Sequence, residues 1–121
     1  MDLEERLAIL VNGGVISPAA ENTVRRIIDR FDRQWRIKLT EENGGRLITH
    51  LAGALMRQET ESPVNPLARE HFEEFKASPY FEKARAITGD LFSHVSLDLI
   101  EEEQDYLIIH ICLILDDIYE G

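Results

Sequence analysis

Residues 17–36 read Ser17-Pro18-Ala19-Ala20-Glu21-Asn22-Thr23-Val24-Arg25-Arg26-Ile27-Ile28-Asp29-Arg30-Phe31-Asp32-Arg33-Gln34-Trp35-Arg36, and they commit the chain to helix. Ser17 followed by Pro18 is a capping side chain with proline at the first helical position, where a missing N–H costs nothing. Val24, Ile27, Ile28, Phe31 and Trp35 then recur at three- and four-residue spacing as one apolar stripe. The other face carries Arg26, Arg30 and Arg33 with Asp29 and Asp32 between them. That face reads either as a solvated, salt-bridged surface or as a docking surface for an acidic partner.

The same spacing recurs in both directions from this stretch. Asp2 to Val11 forms a short first helix with Leu3, Leu7 and Leu10 on one side, ended by Gly13-Gly14. Thr40 caps a third helix, with Glu41 and Glu42 in its first turn and Leu47, Leu51 and Leu55 inward, through about Arg57. Gly44-Gly45 weakens its opening turn. Asn65-Pro66 starts a short helix to about Lys76, and Ser78-Pro79 repeats the device for one ending near His94. The last helix starts between Asp98 and Glu101. From Tyr106 to Leu115 it is apolar on nearly all sides, as a central helix or half of a dimer interface would be. Strand alternation and hairpin signals are nearly absent. The expectation is an all-α fold, a compact bundle of about five helices with a short extra N-terminal helix. Residues 1–14 form an N-terminal extension and 15–121 the helical domain.

The 121 residues suit one domain, and the formal charge of −10 is unevenly spread. Residues 1–57 hold 9 Lys/Arg against 8 Asp/Glu; residues 58–121 hold 4 against 15. A net negative surface argues against direct nucleic-acid binding, which rests on neutralising phosphates. No run approaches the roughly 20 apolar residues of a membrane span, and Met1-Asp2-Leu3-Glu4-Glu5 is unlike a secretory leader, so the expectation is a soluble cytoplasmic protein. Cys112 is the single cysteine and sits in an apolar helix, which excludes an internal disulfide and reads as a structural thiol.

The chemistry-bearing candidates are His50 and His110, each inside a hydrophobic helical run: Leu47-Ile48-Thr49-His50-Leu51 and Tyr106-Leu107-Ile108-Ile109-His110-Ile111. Either is a core histidine with satisfied hydrogen bonds or a site whose charge and nucleophilicity change near neutral pH. Along the face of His50, positions i−4, i+3 and i+7 are Arg46, Gly53 and Arg57. Two guanidiniums favour the neutral ring and could accept a phosphoryl group on it; a solvent-facing Arg/His stripe explains the spacing equally well. His110 differs, since from Asp98 to Gly121 there is no Lys or Arg, and Glu103 and Asp117 lie seven residues either side of it. A phosphate there needs an arginine from another helix or subunit. Neither histidine belongs to an i, i+4 pair or a His-Glu-x-x-His pattern, and Cys112 cannot share a face with His110, so no metal is expected. His71 and His94 read as structural or surface residues. Phosphate loops and hydrolase motifs are absent, and no enzyme is expected.

Taken in order, Leu47-Ile48-Thr49-His50-Leu51 with Arg57 seven on, Asn65-Pro66-Leu67, and Glu103-Gln104-Asp105-Tyr106-Leu107-Ile108-Ile109-His110-Ile111 resemble the PTS regulation domain (PRD) of bacterial transcriptional antiterminators and activators. The resemblance spans about residues 18–118. It implies an all-α bundle of about five helices that tends to dimerise, with histidines phosphorylated by the sugar phosphotransferase system. The donors it implies are the phosphocarrier HPr and sugar-specific EIIB units. By position it makes His50 and His110 phosphoacceptors and Arg57 the matching arginine; Arg46 joins Arg57 as a phosphate-stabilising residue from helical spacing. Family members usually carry two such domains fused to a nucleic-acid-binding module, whereas one domain stands here. The expectation is a stand-alone regulatory protein, a homodimer, acting on a separate transcription regulator and needing no cofactor. The alternative is an unphosphorylated dimerisation or scaffold module serving a separate output protein.

Overall fold

A computed structural model describes residues 2–61, 69–95 and 99–120. Among the described residues there are six α-helices and no strand: α1 (Leu3–Asn12), α2 (Pro18–Trp35), α3 (Glu41–Thr60), α4 (Arg69–Lys76), α5 (Phe81–His94) and α6 (Glu101–Glu120). The all-α expectation holds, with five helices following the short N-terminal one. The chain divides into two compact units, Met1–Ser62 and Pro63–Gly121.

In the first unit, each helix boundary follows from local hydrogen-bond chemistry. Asp2 caps α1 by accepting the Glu5 N–H at 2.8 Å. At the other end Gly14 takes φ +72°, the Gly14 N–H donates to the Val11 carbonyl, and the Val15 N–H reaches back to Leu10. This is a Schellman stop, and the left-handed residue it needs is a glycine. Ser17 caps α2 through Ala20 N–H at 3.1 Å, with Pro18 at the first position as expected. Arg36 ends that helix at φ 56°, a left-handed conformation that costs a non-glycine residue roughly 1–2 kcal/mol. Burial of Ile37 and Leu39 just beyond it offsets that cost. Thr40 and Asn43 form a reciprocal capping box on α3, Asn43 N–H to Thr40 Oγ1 at 3.2 Å and Thr40 N–H to Asn43 Oδ1 at 2.8 Å.

The core of this unit joins Leu3 and Leu7 of α1, Val24, Ile27 and Phe31 of α2, and Leu47, Ile48 and Leu51 of α3. α1 therefore packs against both α2 and α3. Ile28 and Trp35, placed on the stripe of α2 by spacing, are half-buried at its margin, as is Leu55 of α3. The expected weakness at Gly44-Gly45 is answered by packing. A Cβ on Gly44 would stand 3.2 Å from Leu39 Cβ and Cδ2, so the glycine lets Leu39 lie directly on the helix backbone while the capping box holds the turn.

In the second unit α6 packs on α5 and α4. Phe81, Ala84, Ile87 and Leu91 of α5 and Leu107, Ile108, Ile111, Ile114 and Leu115 of α6 are the buried side chains of this packing. Phe72 of α4 meets the Phe81 ring edge-on at 5.8 Å. α5 differs at its start from the expectation. Regular helix begins at Phe81 rather than beside Pro79, because Ser78 builds a tighter first turn: its carbonyl accepts the Phe81 N–H and its hydroxyl the Tyr80 N–H at 3.1 Å. Tyr80 thereby leaves the apolar stripe and stacks on Tyr119, while buried Thr88 takes an inward position by returning its hydroxyl to the Ala84 carbonyl at 2.8 Å. The proposed Asn65-Pro66-Leu67 start, the side chain of His71 and Asp98 lie outside the described residues.

Candidate functional site

His50 sits in the second half of α3, one residue after exposed Thr49 and between the buried side chains of Ile48 and Leu51. Its imidazole is half-buried and its Nε2 atom is shielded from solvent. Burial pushes its pKa below the ordinary histidine value, and the positive charge of Arg57 pushes it further the same way. The ring is therefore held neutral at pH values where an exposed histidine would be partly protonated.

Arg57 reaches this neighbourhood by folding back along its own helix. A Cβ built on Gly53 would stand 3.2 Å from Arg57 Nη1, 3.9 Å from Cζ and 4.0 Å from Nη2, so the guanidinium lies over the glycine, between the two residues in sequence. Spacing alone placed His50, Gly53 and Arg57 on one face, and the structure brings these three together. Arg46, put on the same face by the i−4 relation, is exposed, and the depression of the His50 pKa comes from burial and Arg57.

A second polar cluster borders the site and went unread in the sequence. Arg6 of α1 donates from Nε to both carboxylate oxygens of Glu41, at 3.1 and 2.9 Å, and from Nη2 to Oε1 as well. Its Nη1 donates to Thr49 Oγ1 at 2.9 Å, beside His50 in the chain. The Glu41 bonds hold the guanidinium charged, raising the Arg6 pKa and lowering that of Glu41. Partners 35 and 43 residues apart leave no trace in local spacing, so only the fold reveals the clasp.

His110 lies in the second unit, half-buried on α6 between buried Leu107 and Ile111. Glu103, seven residues before it, is buried at 3% exposure, while Asp117, seven after it, is exposed. Cys112 is buried and its thiol is pushed up to about 11 by that burial, which makes it a core residue rather than a nucleophile. His94 is more than half exposed, with Nε2 3.4 Å from Asp90 Oδ1 one turn earlier. Near the end of the chain the Tyr80 hydroxyl donates to Glu120 at 2.6 Å, and this bond, with the acidic neighbours, raises its pKa to about 12. Lys83 donates to Tyr119 at 2.9 Å. Among the described residues no cluster of three or more His, Cys, Asp or Glu is placed to hold a metal ion. Among them, too, no helix is long and apolar enough to cross a membrane.

The Arg26, Arg30 and Arg33 face of α2 splits by contact. Arg33 pairs with Asp29 at 3.0 Å, both largely exposed, and Arg26 is exposed. Arg25, on the neighbouring flank, reaches Glu21 at 3.1 Å within α2 and Glu4 of α1 at 2.6 Å.

Comparison with known proteins places these features in a family context. The sequence profile described as PRD domain matches residues 25–112, from inside α2 to inside α6, and so spans His50, Arg57 and His110 while α1 precedes it. A curated relative from Escherichia coli (strain K12), named "Uncharacterized protein YhfY", is 24% identical over 106 residues, which cover 88% of this chain and 88% of its own. No solved structure matches.

Proposed function

The chain belongs to the PRD-domain family, and from that membership we propose that it is a regulatory module of a bacterial sugar phosphotransferase system, switched by phosphorylation of His50. The observation that carries this reading is the state of that imidazole, its pKa lowered by burial and by the Arg57 guanidinium, which lies over Gly53 on the same helix face. A neutral ring nitrogen forms the N–P bond as the donor's bond to phosphorus breaks, and the proton on the opposite ring nitrogen is then released. The product adds about −1.5 to −2 charges, which a guanidinium accepts through paired hydrogen bonds. Arg57 is the residue for that role, with exposed Arg46 free to swing in from one turn earlier.

HPr or an EIIB unit is the proposed donor, and the protein is proposed to act as a cytoplasmic, non-enzymatic homodimer on a separate transcription regulator. His110 is the second acceptor by family position; in a helix without Lys or Arg, its phosphate would draw its cation from elsewhere. The test is incubation with enzyme I, HPr, a matching EIIB and phosphoenolpyruvate, followed by mapping of acid-labile phosphate. Label at His50 that disappears in His50→Ala supports the proposal, and absence of label at both histidines overturns it.

One observation favours a second reading, a scaffold that works without phosphorylation. Leu113, Ile118 and Tyr119 of α6 are 46%, 40% and 55% exposed, apolar side chains left uncovered at separate points around a helix that is well buried elsewhere. Partner co-purification that survives His50→Ala and His110→Ala would select the scaffold.

A further inference from the structure

We propose that Gly53 is a positioning residue for His50: having no side chain, it leaves the space in which the Arg57 guanidinium folds back along α3 toward the turn that carries His50. The inference rests on the phosphoacceptor reading for its biological meaning, and on the geometry of the unmodified protein for its test.

Glycine is the poorest residue for a helix interior apart from proline, and Gly53 lies in the middle of α3, between Ala52 and Ala54, with neither a turn nor a positive φ to require it. Alanine on either side shows that the helix takes a methyl group at adjacent positions. What distinguishes position 53 is the set of atoms a methyl group would meet. The three nearest all belong to the Arg57 guanidinium, at 3.2, 3.9 and 4.0 Å. The vacancy left by the missing side chain is filled by the cation.

The other charged groups on α1, α2 and α3 are tied to partners or exposed, Glu59 among them through the Ser17 hydroxyl. From α1, Arg6 is tied to Glu41 and Thr49; from α2, Arg25 is tied to Glu4 and Glu21; on α3 itself Glu41 answers Arg6, and Glu42 and Arg46 are exposed. Arg57 is the charged residue whose field lowers the His50 pKa. A methyl group at 53 makes the guanidinium give by a few tenths of an ångström, and a longer side chain displaces it outward into water, where its field on the ring is screened and its reach toward a phosphate on that ring is lost.

The experiment is an NMR titration of the His50 ring resonances in the full, unphosphorylated chain, assigned with His50→Gln. The series compares the native protein with Gly53→Ala, Gly53→Gln, Arg57→Ala and the Gly53→Gln/Arg57→Ala pair. Removing Arg57 raises the His50 pKa. Gly53→Ala raises it part of the way and Gly53→Gln most of the way, both without touching a charge. In the Arg57→Ala background Gly53→Gln moves it no further, because the group it displaces is gone. Circular dichroism confirms helix content in each variant; alanine and glutamine both favour helix over glycine. A His50 pKa unmoved by either Gly53 substitution in an otherwise folded protein overturns the proposal, as does an equal shift with and without Arg57. Because no phosphodonor is present, failure here leaves the phosphorylation reading intact, and failure of phosphate labelling leaves this result intact.

Discussion

Gly44 and Gly53 lie nine positions apart on α3, and alanine at each should move stability in opposite directions. Both substitutions remove the glycine penalty of a helix interior, a gain of about 0.5–1 kcal/mol. At Gly53 little opposes that gain, since the new methyl group meets the tip of a half-exposed arginine that can move aside. At Gly44 the methyl group meets Leu39 Cβ and Cδ2 at 3.2 Å, and Leu39 is buried, six per cent exposed, on the short segment between α2 and the Thr40 cap. Overpacking of this kind costs about 1–3 kcal/mol. The net change is then from near zero to about 2.5 kcal/mol of destabilisation at Gly44, against a gain of up to about 1 kcal/mol at Gly53. For a unit of this size each kcal/mol moves Tm by about 4–8 °C, so the two variants should be separable by melting alone. Urea unfolding followed by the fluorescence of Trp35, the single tryptophan and a residue of the same unit, assigns the change to the helices concerned. Equal stabilisation by both alanines would refute the packing argument. Gly53→Ala carries a second consequence: it should make the protein more stable while degrading the charge environment of His50, as expected where a destabilising residue is kept for the site rather than for the fold.

Two further outcomes follow from titration. The His50 pKa is lowered on folding, so between its folded value and the unfolded value near 6.5 the unfolded chain binds more protons than the native one. The His50 contribution is constant at higher pH, is lost at up to about 1.4 kcal/mol per pH unit as pH falls through that window, and levels off below the folded pKa. Comparing urea midpoints of the native protein and His50→Gln from pH 8 to 5 isolates this slope; parallel curves would show that the folded pKa is not lowered. Cys112, buried with its thiol pushed up to about 11, should react with a thiol reagent at pH 8 only after urea unfolds the chain. Rapid labelling of the native protein would contradict its placement in the core.

What the sequence made legible was local. The Ser17-Pro18 start, the Thr40 cap and the Gly13-Gly14 stop depend on side chains within a few residues of the groups they satisfy, and each appears as its spacing predicts. The His50, Gly53 and Arg57 alignment is also local, a consequence of helical pitch. Reading the same pitch for Arg46 gave the face but not the contact, because a long side chain on an exposed helix goes where packing and solvent send it. The purpose of α1 was invisible for a different reason. Leu7 is fully buried and Arg6 clasps Glu41 and Thr49, but both partners come from another helix, and nothing in the pattern of residues 2–11 encodes which. Gly44 looked like a weakness in isolation and becomes a packing requirement once Leu39 is placed upon it. At Ser78 the residue types were right for a cap, but the turn closed one residue tighter than an α-helix, moving Tyr80 off the apolar stripe.

Burial does two things to His50 that pull against each other on the proposed reading. It keeps the imidazole neutral, which an acceptor needs, and it shields Nε2, one of the two ring nitrogens to which a donor protein could transfer. A dianionic group cannot take up a desolvated position at a cost the surrounding packing could bear, since an unpaired buried charge is far more expensive than any single contact around it. Transfer to that atom therefore requires the ring to swing out or its cover to open, and the modified ring cannot return to the packing it left. On that reading the phosphorylated and unphosphorylated proteins would differ in the packing around α3 as well as in charge, and Arg57, half-exposed over Gly53, could follow the phosphate outward. An acceptor on an open surface would record the donor's visit without altering the fold; one held half inside a core converts the visit into a change of shape, which a regulatory partner can read.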